Sequence, residues 1–255
     1  MDFPAYVRLG SISLHPHWIF ETAAWTIGFW LYRYQRRATG DVVDQRVRRS
    51  LIVAAAVGGL IGSRILHLME DPAQTAMYWS DLSFVVGGKT IVGGLIGGLI
   101  AVEWIKRLVG VTTATGDLLA LPLITGIAIG RIGCFLSGLE DHAYGTATGL
   151  PWGVDFGDGV SRHPTQLYES AFLVLLGTAL VSLRRRAHEL GDEFKGFMVG
   201  YMAWRFAVDF VKPGVTIAGV SVIQWACVAV LAYYAPHLPR LSAWYLRPKR
   251  VPELA

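Results

Sequence analysis

Seven stretches of this chain, at about 17–35, 51–69, 91–109, 118–137, 166–183, 196–212 and 219–236, are predominantly apolar. Each is close to the roughly 20 residues that a helix needs to cross a hydrocarbon layer. Backbone in lipid must satisfy its own N–H and C=O groups, so such segments fold as helices. The expected fold is therefore all-α: a polytopic membrane protein of about seven transmembrane helices, forming a single integral-membrane domain over 1–255. Composition supports this, because only 16% of the residues are charged and 53% are hydrophobic, against about 25% charged in an average soluble domain. The fifth and sixth stretches carry the weakest signals, since each holds a carboxylate. The first apolar run begins near His17, after a polar leader, and no small-residue cleavage site follows it, so no cleavable signal peptide is expected.

Basic residues set the expected orientation. With the N-terminus outside, the inner segments hold Arg33, Arg36, Arg37, Arg46, Arg48 and Arg49, then Lys106 and Arg107. They also hold Arg184, Arg185, Arg186 and Lys195, and finally Arg240, Arg247, Lys249 and Arg250. The outer segments hold only Arg8, Lys89, Arg162 and Lys212. The bias persists through all seven stretches, which predicts an N-out, C-in chain. The net charge of +4 thus reads as orientation charge and not as a nucleic-acid surface, because the cations flank apolar runs instead of sharing one face. Cys134 and Cys227 lie in different apolar runs and support neither a disulfide nor a zinc framework, so no metal or cofactor is expected.

The outer side carries the long connections, residues 69–90 and 137–165. The second contains the turn signals Gly149-Leu-Pro-Trp-Gly153 and Phe156-Gly-Asp-Gly159. Connections of this length are usually functional or disordered, and Tyr144, Trp152 and Phe156 predict an ordered, interfacial one. Glycine pairs at 58–59, 87–88, 93–94 and 97–98 allow close helix packing, and Gly94-x-x-x-Gly98 is a weak helix-contact motif.

Charges persist within the apolar stretches: Arg64, Arg131, Glu169, Arg205 and Asp209. A charge in the bilayer costs about 2.5–3.5 kcal/mol on insertion scales, so each is expected to face protein or a wet cavity. Arg205, Asp209 and Lys212 have helical spacing and predict a shared face. That reads either as an internal ion pair stapling the bundle or as part of a binding site. All these charges fall in the outer half, with arginines outnumbering carboxylates. The shortfall of negative charge predicts an anionic phospholipid, since guanidinium holds phosphate through paired hydrogen bonds. Arg162-His163-Pro164-Thr165-Gln166-Leu167-Tyr168-Glu169, where the chain re-enters the membrane, reads as the rim of that site. Glu140, Asp141 and His142 lie on the same side; three adjacent polar residues in a loop are usually only solvated.

These features together resemble the bacterial prolipoprotein diacylglyceryl transferases. The resemblance runs along nearly the whole chain, through Gly62-Ser-Arg64, Gly93-Gly-Leu-Ile-Gly97, Gly130-Arg-Ile-Gly133 and the His-Pro-Thr-Gln-Leu-Tyr-Glu run. It ends in Tyr201-x-x-x-Arg205-Phe-x-x-Asp209-Phe-x-x-Pro213, followed by Gln224. It implies a multi-pass enzyme of the bacterial inner membrane. Such an enzyme moves the diacylglyceryl group of phosphatidylglycerol to the lipobox cysteine thiol in the signal peptide of a preprolipoprotein, forming a thioether and releasing glycerol phosphate. Arg131 and Arg205 are then expected to hold the phosphate, with Arg64 as a third cation and Asp209 orienting Arg205. His163, Gln166, Tyr168 and Glu169 would fix the rim, and His142 or Glu140 would handle the thiol proton.

The chain also departs from the family pattern. Val92 stands where the family has His before the Gly-Gly-Leu-Ile-Gly stretch, and Cys134 where it has Asn. Glu21 lies near the place of a tyrosine, and Ser137-Gly-Leu-Glu140-Asp-His142 replaces an Asn-Gly-Glu run. Asp209 and Lys212 stand for Glu and Arg. The phosphate-facing part is kept and the part that handles the thiol is rebuilt. The alternative is a protein of the same fold that binds an anionic glycerolipid but uses another acceptor, or none. A transporter is disfavoured because no internal repeat is seen.

Overall fold

The computed structural model describes residues 3–9, 12–186 and 188–244, and each of the seven apolar stretches contains a helix. A hairpin of β1 (Val7–Leu9) and β2 (Ile12–Leu14) leads into α1 (Pro16–Thr39) and α2 (Gln45–Glu70). Two short helices, α3 (Pro72–Tyr78) and α4 (Leu82–Gly87), fill the next connection before α5 (Ile91–Leu108) and α6 (Asp117–Ser137). A 3₁₀ turn over Gly138–Asp141 and a hairpin of β3 (Val154–Asp155) with β4 (Ser161–Arg162) precede α7 (Thr165–Arg184). Next come α8 (Asp192–Val208), a 3₁₀ turn at Asp209–Val211, and a hairpin of β5 (Thr216–Ile217) and β6 (Val220–Ser221). The described chain ends in α9 (Val222–Tyr234) and α10 (Leu238–Ala243). The basic residues Arg247, Lys249 and Arg250 lie outside the described residues.

Among the described residues, three helical segments are long and apolar enough to cross a membrane: α2, α6 with its 3₁₀ turn, and α7. The others fall short for separate reasons. Helix α5 ends in Glu103, Lys106 and Arg107, α8 has 17 residues and α9 has 13. A mostly helical, polytopic membrane protein fits these elements. The outward faces agree: Trp18, Trp25, Trp30 and Trp104 are each more than 60% exposed, which apolar rings tolerate in lipid or at its interface.

Helices α2 and α5 meet through glycine. A Cβ built on Gly62 would stand 2.4 Å from the Gly93 carbonyl oxygen, and one on Gly97 would stand 2.2 Å from that of Gly58. The backbones therefore touch where side chains would hold them apart. The contact pair on α5 is Gly93 and Gly97; at Gly94, in the expected Gly94-x-x-x-Gly98 motif, an added Cβ would find its nearest neighbour at 3.6 Å. The core proper lies between α6, α7, α8 and α9, around Ala120, Leu173, Met198, Tyr201, Met202 and Cys227, all fully buried.

The basic end of the bundle is more structural than orientation charge requires. Arg48 is 2% exposed; its Nη2 donates to Asp41 at 2.6 Å and its Nη1 to the Thr115 carbonyl at 3.0 Å. Arg184 bonds Glu193 and Gln35, tying α7 to α8 and α1.

Candidate functional site

The opposite end, built from the C-termini of α2, α6 and α8 and the N-termini of α1, α5, α7 and α9, collects the charges of the apolar stretches. Arg131, on the last two turns of α6, places Nε 3.0 Å from Glu169 Oε2. Glu169, on the first turns of α7, is 1% exposed and takes a second bond from the Tyr201 hydroxyl at 2.6 Å. One helical turn beyond Tyr201 on α8, Arg205 Nη2 lies 2.9 Å from Asp209 Oδ1, both side chains 7% exposed. Asp209 also accepts from Ser221 Oγ. Ser221 caps α9 in a capping box with Gln224, and Gln224 Nε2 donates to the Phe206 carbonyl at 3.1 Å. The C-terminal motif residue Gln224 thus holds the residue that holds Asp209. The helix ends before Lys212, which adopts an extended backbone, so Lys212 does not share the helical face of Arg205 and Asp209.

Among the described residues at this end, atoms of Gln166, Arg205 and Arg131 are buried without a hydrogen bond, although Arg131 Nε is ion-paired with Glu169. Gln166 is 1% exposed, yet neither its Oε1 nor its Nε2 is hydrogen-bonded, and Arg205 Nη1 is likewise unsatisfied. A buried polar group left unpaired costs about 1–3 kcal/mol, more when charged, so these atoms call for a polar guest. Arg64, half-buried on α2, spends one Nη1 bond of 2.5 Å on the Gly88 carbonyl. Its remaining donors give a third cation near the helix ends. Glu70, which the sequence reading did not single out, stands within electrostatic reach of Arg205, Asp209 and Lys212. Adding Lys212 and Glu70 leaves this end with the same excess of one positive charge as Arg64, Arg131 and Arg205 have over Glu169 and Asp209. Two open clefts lie elsewhere, one along α1 beside Trp30 and Arg33 and one at the basic end beside Arg48.

The long connection after α6 is ordered by its own backbone. Gly145, Thr146, Thr148 and His163 exchange main-chain bonds with one another, with Ser161 and with Val211. Thr165 Oγ1 closes onto the Ala143 carbonyl at 2.8 Å. At the turn, Asp155 Oδ1 accepts from three successive amides, Gly157 to Gly159. Arg162 pairs twice with Asp158, at 2.6 and 2.7 Å, and lies over the Tyr144 ring. Tyr168 accepts from Trp152 Nε1 at 2.8 Å and meets His163 Nδ1 at 3.2 Å. His163, Tyr168 and Trp152 therefore form one rim. Phe156, expected at the interface, is 2% exposed instead. It fills an aromatic cluster with Phe3, Phe135 and Tyr144, which buries more area than an interfacial position would.

The residues expected to handle the thiol proton separate. His142 is exposed and sits at a left-handed backbone position, φ 50°. Glu140, its side chain 58% exposed, bonds His15 Nε2 at 3.1 Å. Asp141, the next residue, bonds His17 Nδ1 at 3.2 Å. His17 Nε2 lies 3.2 Å from Glu21, which Lys89 holds at 3.0 Å. Cys134, half-buried, lies against His17 and Asp141. The sequence reading passed over His15 and His17; the signal was the His-Pro-His run at the mouth of the first apolar stretch, facing the acids of the long loop. Val92 is 1% exposed and belongs to the core.

The sequence is similar to known proteins along most of its length. Residues 4–236 match the family model of prolipoprotein diacylglyceryl transferase. A phosphatidylglycerol–prolipoprotein diacylglyceryl transferase of Nitratidesulfovibrio vulgaris is 30% identical over 258 residues, covering 96% of this chain and 94% of that protein. The one from Bordetella bronchiseptica is 29% identical over 252 residues, covering 89% and 91%. That from Polynucleobacter necessarius is 28% identical over 250 residues, covering 90% and 92%. The chain belongs to the prolipoprotein diacylglyceryl transferase family.

Proposed function

We propose that this chain transfers the diacylglyceryl group of phosphatidylglycerol to the lipobox cysteine of a preprolipoprotein. The observation that carries this reading is the unsatisfied polar set of Arg205 Nη1 and the Gln166 amide, buried beside two arginine–carboxylate pairs. A phosphate diester supplies the acceptors that this set lacks. The names of the relatives, which pair phosphatidylglycerol with prolipoprotein, point to the same substrates.

In this mechanism Arg131 and Arg205 hold the phosphate, and Arg64 adds charge from α2. Glu169, Tyr201 and Asp209 fix the guanidiniums in advance, so charge that develops on the departing glycerol phosphate meets preplaced donors. Gln166 binds the headgroup, and the His163–Tyr168 rim closes the loop side. The acceptor sulfur attacks the glyceryl carbon, and the carbon–oxygen bond to the phosphate breaks with its electron pair going to the phosphate. The thiol proton passes to Glu140, whose exposed carboxylate is bonded to His15. His142 is left out of the chemistry.

The same reading includes seven spans in one domain over 1–255, N-out and C-in, in a bacterial inner membrane with the site in the outer half. The distribution of Lys and Arg supports that topology. The test is transfer from labelled phosphatidylglycerol to a lipobox peptide, with the Cys→Ser peptide as control. Thioether formation with the cysteine peptide alone is expected. Absence of transfer by folded, lipid-binding protein would overturn the acceptor and leave a glycerolipid-binding member of the family.

A further inference from the structure

Three potential metal donors from three separate elements converge beside Arg131: His17 from the first turn of α1, Cys134 from the last turn of α6, and Asp141 from the 3₁₀ turn that follows it. One ligand atom from each lies within 4.8 Å of the other two, and the His17 Nδ1 to Asp141 Oδ1 edge is 3.2 Å. In a tetrahedral zinc site, with bonds of about 2.0–2.3 Å, the edges between ligand atoms come to roughly 3.3–3.6 Å. The widest edge, at most 4.8 Å, needs to close by up to about 1.5 Å to reach that geometry.

A second feature is independent of those three atoms. The other ring nitrogen of His17, Nε2, lies 3.2 Å from Glu21 Oε2, and Glu21 is itself held by Lys89 at 3.0 Å. A carboxylate on the far nitrogen is the arrangement that fixes the tautomer and orientation of a metal-bound histidine. The neighbouring His15–Glu140 bond of 3.1 Å pins the turn that presents Asp141. One nitrogen, one sulfur and one oxygen form a borderline-soft donor set that favours zinc over magnesium or calcium. Thiolate and carboxylate together also balance a divalent charge.

We infer that His17, Cys134 and Asp141 form a three-ligand zinc site whose fourth position is open. Its role rests on the transferase reading above: the open position takes the acceptor cysteine. That thiol coordinates as thiolate, and its proton is released to water by way of Glu140. The bound sulfur attacks the glyceryl carbon, and the phosphate leaves toward Arg131, one helical turn from Cys134. Cys134 stays a ligand throughout and is not alkylated. The thioether product, carrying no charge, leaves the metal.

Cobalt(II) tests the site without reference to activity. Full-length protein in detergent, stripped by a chelator, is titrated with cobalt chloride while the near-ultraviolet thiolate-to-cobalt absorption is followed. One equivalent is expected to bind, with the band abolished in Cys134→Ser and retained in Cys227→Ser. Glu21→Gln is expected to weaken cobalt about 10-fold. No band in the wild-type protein, or a band that survives in Cys134→Ser while that variant melts like wild type, overturns the site. The role is read separately: stripped protein is expected to lose transfer and to regain it with zinc, and full transfer by stripped protein overturns the role. Protein that shows the cobalt band when stripped, yet transfers nothing once reloaded with zinc, rejects the transferase reading alone.

Discussion

Glu169 Oε2 stands 3.0 Å from Arg131 Nε, and the carboxylate is 1% exposed. A buried pair of this kind is costly to break, because removing one partner strands the other charge. Glu169→Gln and Arg131→Leu should each lower stability by about 3–5 kcal/mol, read as melting in detergent. The double variant Arg131→Leu/Glu169→Leu should recover much of that stability and still lack transfer. A double variant no more stable than the singles would show that the pair is not the unit that matters.

Arg205 is oriented by Asp209 and keeps Nη1 free for a guest. Arg205→Lys retains the charge but loses the paired donors that match a phosphate. Binding of phosphatidylglycerol in nanodiscs should weaken about 10- to 100-fold, consistent with loss of one charge-assisted hydrogen bond of roughly 1.5–3 kcal/mol. Asp209→Asn, which keeps the Ser221 contact in part, should weaken binding less than Arg205→Lys. The reverse ranking would remove Arg205 from the headgroup site.

His142 and Glu140 separate the two expectations for the thiol proton. His142 is exposed, so His142→Ala should leave the transfer rate within about twofold, as surface substitutions usually do. Glu140→Gln should lower the maximal rate with little change in lipid binding. Initial rates against peptide concentration distinguish the two, and a large loss in His142→Ala would return that residue to the chemistry.

The parts legible in the sequence were those with a period or a conflict in them. Each of the seven apolar stretches contains a helix, the form in which an apolar segment satisfies its own backbone, and Arg131, Glu169, Arg205 and Asp209 are legible because charge is expensive in such segments. What stayed hidden depended on contacts between distant segments. His17 and Asp141 are ordinary polar residues until α1 and α6 pack side by side. The tightest glycine contacts fall on Gly93 and Gly97, while a Cβ on Gly98 would stand 3.3 Å from the Ala55 carbonyl oxygen; glycine pairs offer two helix faces, and only packing against α2 chooses between them. Gln224 was legible as part of a motif, but its capping of α9 beneath Asp209 appears only in the folded chain.

The glycine contact between α2 and α5 gives a steric prediction. A Cβ on Gly62 would lie 2.4 Å from a fixed backbone oxygen, whereas one on Gly94 would lie 3.6 Å from its nearest neighbour. Gly62→Ala should therefore destabilise by about 1–3 kcal/mol, the usual cost of overpacking. Gly94→Ala should be neutral or slightly stabilising in a helix. Because Arg64 follows two residues after Gly62, the first variant should also weaken lipid binding, which equal melting of the two variants would contradict.

Asp41 gives the pH dependence at the basic end, in the connection between α1 and α2. Burial alone would raise its carboxyl, but hydrogen bonds from Arg48 and Arg36 outweigh that and hold it below the ordinary carboxylate range. A carboxyl depressed by folding stabilises the protein above its unfolded value, near 3.9, and loses that contribution as pH falls through the lower folded value. Asp41→Asn should thus cost roughly 1.5–3 kcal/mol at pH 7, where charged hydrogen bonds are lost. The difference between variant and wild type should stay constant from pH 7 to about 5 and shrink only below about 4, where the wild-type carboxylate itself is protonated. Denaturation midpoints of the two proteins across that range check the sign, and a difference that grows on acidification would place the stabilising charge on another group.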